Sequence, residues 1–481
     1  MMLRDLLHKV NIVSCSADMD IEIDGVSYDT RTLGAGDLFV AISGYKHDGH
    51  KYIEEAVRKG AACVICEKAP SVEVPYISVD DSRKALACVS AAWFGYPAKR
   101  LKIVGITGTN GKTTVSTMIK RVVEYCGGGK AGLIGTIGNM IGERELSTEH
   151  TTPESYEIQK LLAMMCEEGC EYVVMEVSSH ALALSRVYGI QFEVGVFTNL
   201  SPDHLDFHDS MENYAYAKAA LFSNCRRAVI NIDDENAQLM IENATGYVFR
   251  FSTIDTSANL FGKSIKLQSD RVEFTAVTNG SQNRVELRIP GIFTVYNALA
   301  VMSAMMSLGF DIDIVAPALQ ISESVKGRAE IVPTGTDYTV LIDYAHTPDA
   351  LFNIITAVRE CTLGRVVTLF GCGGDRDRKK RPLMGDIAAK HSDFVVVTSD
   401  NPRTEEPCTI IAEILSGMKN TQTPYKVIEN RYDAIHWALE NSQPDDVLIL
   451  AGKGHESYQI FGSEKRHFDE REVVSEYYDR L

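Results

Sequence analysis

The chain is 481 residues long, 45% hydrophobic and 23% charged, with a formal net charge of −17. That length exceeds one hydrophobic core and, at ~150 residues per domain, predicts about three domains, while the ordinary balance of apolar and charged residues excludes a disordered chain. The acidic charge argues against nucleic acid or an anionic membrane as the main partner and leaves room for a local basic pocket.

Eleven cysteines, odd in number and without metal-ligand spacing, fit reduced thiols in a cytoplasmic protein. Cys63 and Cys66 form a C-x-x-C, but inside the strand-like run AACVICE they read as small buried hydrophobes. The N-terminus MMLRDLLHKV lacks the apolar core of a signal peptide, and the most apolar helix, NALAVMSAMMSLGF from Asn297, is too short to span a bilayer.

Residues 1–98 alternate short strands with helices, in VSYDTR, GDLFVAISG, HKYIEEAVRKG, AACVICE and VPYISVD, and end at the turn signal Gly95-Tyr96-Pro97. They predict a small α/β recognition domain. Its loop residues Thr30, Arg31, Tyr45, Lys46, His47 and Asp48 are either substrate contacts or plain surface.

Residues 99–327 predict a nucleotide-binding domain built on KIVGITGTNGKTTVSTMIK. Ile103 to Thr107 reads as a buried strand, Gly108-Thr109-Asn110-Gly111 as a loop, and Lys112-Thr113-Thr114 as a helix start. Glycines let backbone N–H groups converge on a phosphate chain, the helix dipole favours the anion, Lys112 reaches the outer phosphates and the Thr113 hydroxyl can ligate Mg²⁺. Because Ile106 stands where the usual pattern has its first glycine, this is a variant phosphate loop for ATP or GTP. Further on, the strand EYVVMEVSSH carries Glu176 to its end, and VGVFTNLSPDHLDFH ends in Asn199, Asp203, His204, Asp206 and His208. Ligands of open α/β sheets bind beyond the carboxyl ends of the strands, so Glu176 and His204 should converge on the phosphate loop and serve Mg²⁺. The helix MENYAYAKAALF holds a single lysine, Lys218, which is either snorkelling or modified. RVEFTAV and NRVELRIP predict an antiparallel pair, followed by a buried helix with Asn297 at its start.

From residue 328 to 481, five apolar strand candidates, VLIDYA, RVVTLFG, DFVVVTS, YKVIEN and DVLILAG, alternate with helical stretches. The pattern predicts a parallel sheet covered by helices. Four of its strands end in the polar loops DYAHTPDA, GCGGDRDRKKR, SDNPRTEEP and GKGHESYQ, which should form a pocket at one edge. Of the basic run Arg376, Arg378, Lys379, Lys380 and Arg381, most is expected to be a solvated helix start.

The motifs GTNGKTT, HTTPES, MEVSSHALALSR, FTNLSPDHLDFH, AYAKAALF, DYAHTPDAL, FGCGGDRDRKKRPLMG, SDNPRTEEP and AGKGHESYQ together resemble the Mur ligases of peptidoglycan synthesis, in the branch that adds the third residue of the stem peptide. The resemblance covers the whole chain. It implies an N-terminal domain for the UDP moiety, a central P-loop ATPase-like α/β domain and a C-terminal Rossmann-like parallel-sheet domain for the amino acid. It also implies a monomeric enzyme in which a carboxylate of UDP-MurNAc-L-Ala-D-Glu attacks ATP to give an acyl phosphate, which an incoming amine converts to the amide. ATP would then contact Gly108, Thr109, Asn110, Gly111, Lys112, Thr113 and Thr114, with adenine at Asn297 and a phosphate at Arg328. Mg²⁺ would use Thr113, Glu176 and His204, and a carbamylated Lys218 would hold a second ion, with Lys112, Glu176, His204 and Lys218 serving catalysis. The nucleotide-sugar peptide would meet Thr30, Thr151, Thr152, Ser178, Ser179 and Arg186. The incoming amino acid, meso-diaminopimelate, would meet Arg376, Asp400, Asn401, Pro402, Arg403, Gly452 and Glu456. Its distal carboxylate and amine call for a bidentate cation, and DNPR is the diaminopimelate form of the motif; the alternative for Arg403 is a surface pair with Glu405 or Glu406. Thr30, His150 and Leu184 depart from the family pattern at the sugar site. A folylpolyglutamate synthase is the rival within the same architecture, and a GTPase switch is the rival from another class, though no N-K-x-D follows the phosphate loop.

Overall fold

Three helix-covered β-sheets follow one another along the chain, in a computed structural model that describes residues 1–44, 48–146, 148, 150–321 and 324–479. Tyr45, Lys46 and His47, considered above as substrate contacts, lie outside the described residues.

The first sheet has five strands, ordered Ile12–Cys15, Tyr76–Val79, Cys63–Cys66, Asp37–Val40, Gly25–Ser27. Its pairings are parallel except at Ile12–Cys15. Cys63 and Cys66 are both fully buried, so the C-x-x-C packs as small hydrophobes, as expected. The eleven cysteines are all free thiols.

The central sheet places Lys102–Thr107 between Tyr172–Glu176 and Phe192–Phe197, all parallel. Val104, Ile106, Val174, Val194 and Val196 are wholly buried against the helices Lys112–Tyr125 and Ile292–Ser307. A strand covered on both faces is apolar along its whole length, so its first polar residue falls at its carboxyl end. This rule puts the phosphate loop, Glu176 and Thr198 on one edge of the sheet. Val272–Val277 and Gln282–Leu287 pair antiparallel, as the alternation predicts. The following helix starts at Ile292, however, so Asn297 lies in its second turn and not at its start. Gly291, with φ +88°, supplies the turn into the helix, and nothing in the side chain of Asn297 was needed to begin it.

The five apolar runs of the C-terminal third form five mutually parallel strands, ordered Thr339–Asp343, Val447–Ala451, Val366–Phe370, Phe394–Val397, Tyr425–Val427, with Glu330–Val332 antiparallel at one edge. Of the basic run, Arg376, Arg378 and Lys379 are exposed, as expected of a solvated helix start, and the other two are engaged by the protein. Arg381 is fully buried and pairs with Glu405 at 2.8 Å and Glu413 at 2.7 Å, Arg378 also pairs with Glu413, and Lys380 donates to the His346 carbonyl at 2.9 Å. Two carboxylates converging on one planar guanidinium draw Arg381 out of solvent. Among the described residues no helix is long and apolar enough to cross a membrane.

Candidate active site

The phosphate loop is held from behind by the neighbouring strand. Gly108 has φ +151°, and a Cβ there would lie 1.9 Å from Thr198 Oγ1. Gly111 has φ +86°, and its Cβ would lie 2.5 Å from Asn297 Oδ1, so only glycine fits either place. Thr198 Oγ1 donates to the Asn110 carbonyl at 2.6 Å, and the Asn110 N–H donates to Asn199 Oδ1 at 2.9 Å. Lys112 folds back over the loop and donates to the Gly108 and Thr109 carbonyls at 2.9 and 2.8 Å. Desolvation lowers its pKa, against the opposing charge of Glu176.

Glu176, 1% exposed, ends its strand beside the loop. One carboxylate oxygen accepts from Thr113 Oγ1 and Thr136 Oγ1, each at 3.0 Å, and the other accepts from the Thr136 N–H at 2.8 Å. Among the described residues no cluster of three or more His, Cys, Asp or Glu side chains makes a self-sufficient metal cage. The adjoining hydroxyl of Thr113 and carboxylate of Glu176 are instead the sparse, hard-oxygen donor set that Mg²⁺ uses together with phosphate oxygens, so these residues fit the ion. His204 adopts a left-handed conformation, φ 54°, after Asp203 and lines the same cavity.

Lys218 is 1% exposed, and its amine donates to the Gly108 carbonyl at 2.7 Å, beneath the Tyr214 ring. Burial, reinforced by the charge of Lys112, holds its pKa well below the ordinary lysine value. The snorkelling alternative is therefore excluded, since the amine turns inward toward the loop.

The C-terminal sheet closes the site. Arg328 Nη2 donates to Thr113 Oγ1 at 3.2 Å, its guanidinium packing over the Tyr344 ring. Asp349 accepts from Asn110 Nδ2 at 3.3 Å and from Ser201 Oγ at 2.8 Å. Between the two sheets lies a cavity of about 760 Å³, walled by the phosphate loop, Glu176, His204 and Lys218 on one side and by Arg328, Tyr344, His346 and Ala350 on the other. Asn297, Phe293 and Tyr296 line its far end, where Tyr296 donates to Asp233 at 3.0 Å. Sequence reasoning did not single out Asp349, Asp233, Tyr296 or Asp343, whose carboxylate accepts the Ala329 and Ala345 N–H groups at 2.7 and 2.8 Å. The one local signal was position, since Asp343 ends a buried strand and Asp349 lies in the first turn of the helix Pro348–Arg359 that follows it.

Toward the N-terminal sheet, Thr151, Ser178 and Ser179 line the same cavity. Thr152 is buried instead, its hydroxyl bridging the Glu176 carbonyl at 2.8 Å and the Ser178 N–H at 3.1 Å. Arg186 is held by Glu154 at 2.6 Å and donates to the Thr152 carbonyl at 2.9 Å, while Arg83 reaches Glu154 from the first sheet at 3.2 Å. Thr30 is buried, and its carbonyl accepts from Lys59 at 2.7 Å.

At the far edge of the C-terminal sheet the four predicted loops do meet. Arg403 takes up a left-handed φ of 52°, fixed by its N–H on the Ile460 carbonyl at 3.0 Å and by its carbonyl accepting from the Gly462 N–H at 2.7 Å. Its guanidinium donates to the Gly374 carbonyl at 2.8 Å, and Gly374 lies so close to Pro402 that a Cβ would be 1.8 Å from the Pro402 carbonyl oxygen. Glu405 is engaged by Arg381, not by Arg403. Asp400, Asn401 and Glu456 gather around the ammonium of Lys453, and Gly452, with φ +112°, lets the chain pass beside Asp400. Arg376 remains exposed and, among the described residues, donates to the Asp375 carbonyl at 3.2 Å.

Three family profiles match the chain in order: the Mur ligase family catalytic domain over residues 22–94, the Mur ligase middle domain over 106–305 and the Mur ligase glutamate ligase domain over 327–454. The chain is 49% identical to the UDP-N-acetylmuramoyl-L-alanyl-D-glutamate–2,6-diaminopimelate ligase of Caldanaerobacter subterraneus, over 95% of each. The chain belongs to the Mur ligase family. A second relative, the corresponding ligase 1 of Clostridium acetobutylicum, is 46% identical over the full length of both. Among solved structures, one of a ligase with the same substrates in its name superposes with a TM-score of 0.74 at 31% identity, over 100% of this chain and 99% of that one. The Mur ligase fold is shared more distantly by Mycobacterium tuberculosis folylpolyglutamate synthase, at 17% identity and a TM-score of 0.61 over 82% of this chain and 93% of that one.

Proposed function

We propose that this Mur ligase joins meso-diaminopimelate to UDP-MurNAc-L-Ala-D-Glu at the expense of ATP, acting as a monomer in the cytoplasm. The observation that carries the reading is the single cavity in which the phosphate loop, Glu176 and Lys218 face Arg328 across the interface of two sheets. Phosphoryl transfer asks a protein for positioning and charge stabilisation, and this cavity supplies both without a nucleophilic side chain.

In the proposed reaction the side-chain carboxylate of the D-glutamyl residue attacks the γ-phosphorus of ATP, ADP leaves, and an acyl phosphate results. The amine of the incoming amino acid then attacks the acyl carbon, losing a proton and expelling inorganic phosphate. Gly108 to Thr114 wrap the phosphates, Lys112 leaves its carbonyl partners to meet the γ-phosphate, and Arg328 delivers a second cation from the opposite wall. Asn297 sits where the adenine would enter. Thr113, Glu176 and His204 would hold Mg²⁺, with a carbamylated Lys218 as an anionic ligand of a second ion; the metal supplies charge neutralisation on the transferred phosphoryl group. Thr151, Ser178, Ser179 and Arg186 face the nucleotide-sugar peptide, with Thr30 and Thr152 behind them.

The amino-acid preference rests on Arg403. A non-glycine residue in the left-handed region costs about 1–2 kcal/mol, and strain of this kind persists where the surroundings impose it for function. Together with Arg376 it offers cations for a distal carboxylate, while Glu456, Asp400 and Asn401 offer oxygens for a distal ammonium. Offering UDP-MurNAc-L-Ala-D-Glu, Mg-ATP and equal meso-diaminopimelate and L-lysine, and then weighing the product by mass spectrometry, tests the assignment. The diaminopimelate product should dominate, and Arg403→Ala should lose most of that preference. A lysine product as the major species refutes it.

A further inference from the structure

Lys453 stands between Gly452 and Gly454 at the exit of strand Val447–Ala451, and none of its side chain reaches solvent. A fully buried lysine requires partners. Its three ammonium protons have three acceptors: Glu456 Oε2 at 2.9 Å, Asn401 Oδ1 at 3.1 Å and Asp400 Oδ1 at 3.3 Å. All three belong to the set proposed for the amino acid, and none lines the nucleotide cavity.

The arrangement fixes more than charge. Asn401 Oδ1 also accepts the Ile460 N–H at 3.0 Å, so the amide nitrogen must face the other way, where it donates to Glu456 Oε2 at 2.9 Å. Glu456 Oε2 thereby takes two donors, while its Oε1 has no hydrogen-bond partner among the described residues. A carboxylate anchored through one oxygen and open at the other is a receptor for an ammonium group. Behind it, burial pushes the Asp400 carboxyl up, but Lys453 and Arg431 outweigh that and keep it ionised below the usual aspartate value.

We infer that Lys453 is a positioning residue for amino-acid selection: its ammonium locks Asp400, Asn401 and Glu456 into the one arrangement in which Glu456 Oε1 meets the distal ammonium of a diamino acid. The inference rests on the proposed function and adds a residue that does not itself touch the substrate. Without that cation, Asp400 and Glu456 repel each other, the Asn401 amide is free to turn, and Glu456 loses its orientation.

The test measures KM for meso-diaminopimelate, ATP and UDP-MurNAc-L-Ala-D-Glu in the full-length protein and in Lys453→Met, Glu456→Gln and the double variant. Lys453→Met should raise KM for meso-diaminopimelate about 10- to 100-fold, the usual size for removing a group that orients a ligating side chain. The other two KM values and the saturating kcat should stay within about threefold, the signature of lost ground-state binding. In the Glu456→Gln background the same substitution should add less than about threefold, because residues acting through one another are not additive. Equal rises in all three KM values, or full additivity, overturn the inference. Should Lys453→Met fail to fold, the double variant, which removes cation and anion together, decides by comparison with Glu456→Gln on the same threefold criterion. A wild-type protein that does not accept meso-diaminopimelate overturns the proposed function and this inference with it. Wild-type acceptance with an unmoved KM in Lys453→Met overturns the inference alone.

Discussion

Lys218→Ala is expected to abolish ligation and leave the fold intact. The amines of Lys218 and Lys112 both donate to the Gly108 carbonyl, at 2.7 and 2.9 Å. Two ammonium groups about 5 Å apart repel by roughly 3 kcal/mol at an effective dielectric constant of about 20. Burial acts in the same direction and lowers the Lys218 pKa well below the ordinary lysine value, which favours the free amine, the form that adds to carbon dioxide to give a carbamate. The charge beside Lys112 then changes sign, and a repulsion becomes an attraction of similar size. Removing the anion that would hold the second Mg²⁺ and orient Lys112 where phosphoryl charge develops should lower turnover by at least about 10²-fold. The assay is ADP release at saturating substrates, with thermal unfolding as the check on the fold. Added bicarbonate should not restore Lys218→Ala, which has no amine to modify, whereas acetate or propionate should restore part of the rate by refilling the anion position. Carbon-13 bicarbonate should give a carbamate resonance in the wild type and none in the variant. Full activity in Lys218→Ala refutes the reasoning.

Glu176→Gln keeps the shape that accepts from Thr113 and Thr136 and loses the charge; turnover should fall by about 10²–10⁴-fold with every amino acid tested, and a variant that merely changed amino-acid preference would contradict the phosphoryl-transfer role. Gly111→Ala puts a Cβ 2.5 Å from Asn297 Oδ1 at φ +86°, so it should destabilise the protein by about 1–2 kcal/mol and raise KM for ATP, with a normal KM and thermal midpoint as the refuting result. His455 is held neutral by burial and by the charges of Arg328, Arg471 and Lys326, its pKa lowered from 6.5 to about 4. The unfolded chain therefore binds a proton below pH 6.5 that the folded one refuses until about 4, so stability is lost as pH falls through that window; urea unfolding of His455→Gln should show a smaller loss between pH 7 and 4.5 than the wild type, and an equal loss would exclude His455 as a source.

How much of this was legible in sequence depended on the distance over which each feature is decided. The phosphate loop is local chemistry: a buried strand, glycines and a helix start in a fixed order. Glu176 was readable because an apolar strand covered on both faces can hold a carboxylate only at its end, and Lys218 because one lysine among small and aromatic residues has no obvious place. The burial of Arg381 could not be read, since its two carboxylates lie 24 and 32 residues away and no periodicity announces them. The helix holding Asn297 starts at Ile292, ahead of where it was expected, because the chain turns into it at the left-handed Gly291. Arg328 and Thr113 touch across 215 residues, and Asn110 and Asp349 across 239; the docking of two sheets sets both contacts, and neither leaves a trace in local pattern.

Those two contacts bear on how the reaction is kept from leaking. Thr113 Oγ1 donates to Glu176 and accepts from Arg328, so one of its two lone pairs stays open for a cation. The residue proposed to ligate Mg²⁺ is thus also one on which the C-terminal sheet rests. Asp349 makes the same coupling through Asn110, in the loop itself, and through Ser201 beside it. An acyl phosphate exposed to bulk water is hydrolysed, and closing a site excludes that side reaction. Because Arg328 and Asp349, which dock the C-terminal sheet, bond to Thr113 and Asn110, an arrangement of the loop that suits the nucleotide in the proposed reaction is also one that seats the C-terminal sheet over it. In the proposed reaction, activation of the carboxylate and delivery of the amine would be linked through the hydrogen bonds to Asn110, Thr113 and Ser201.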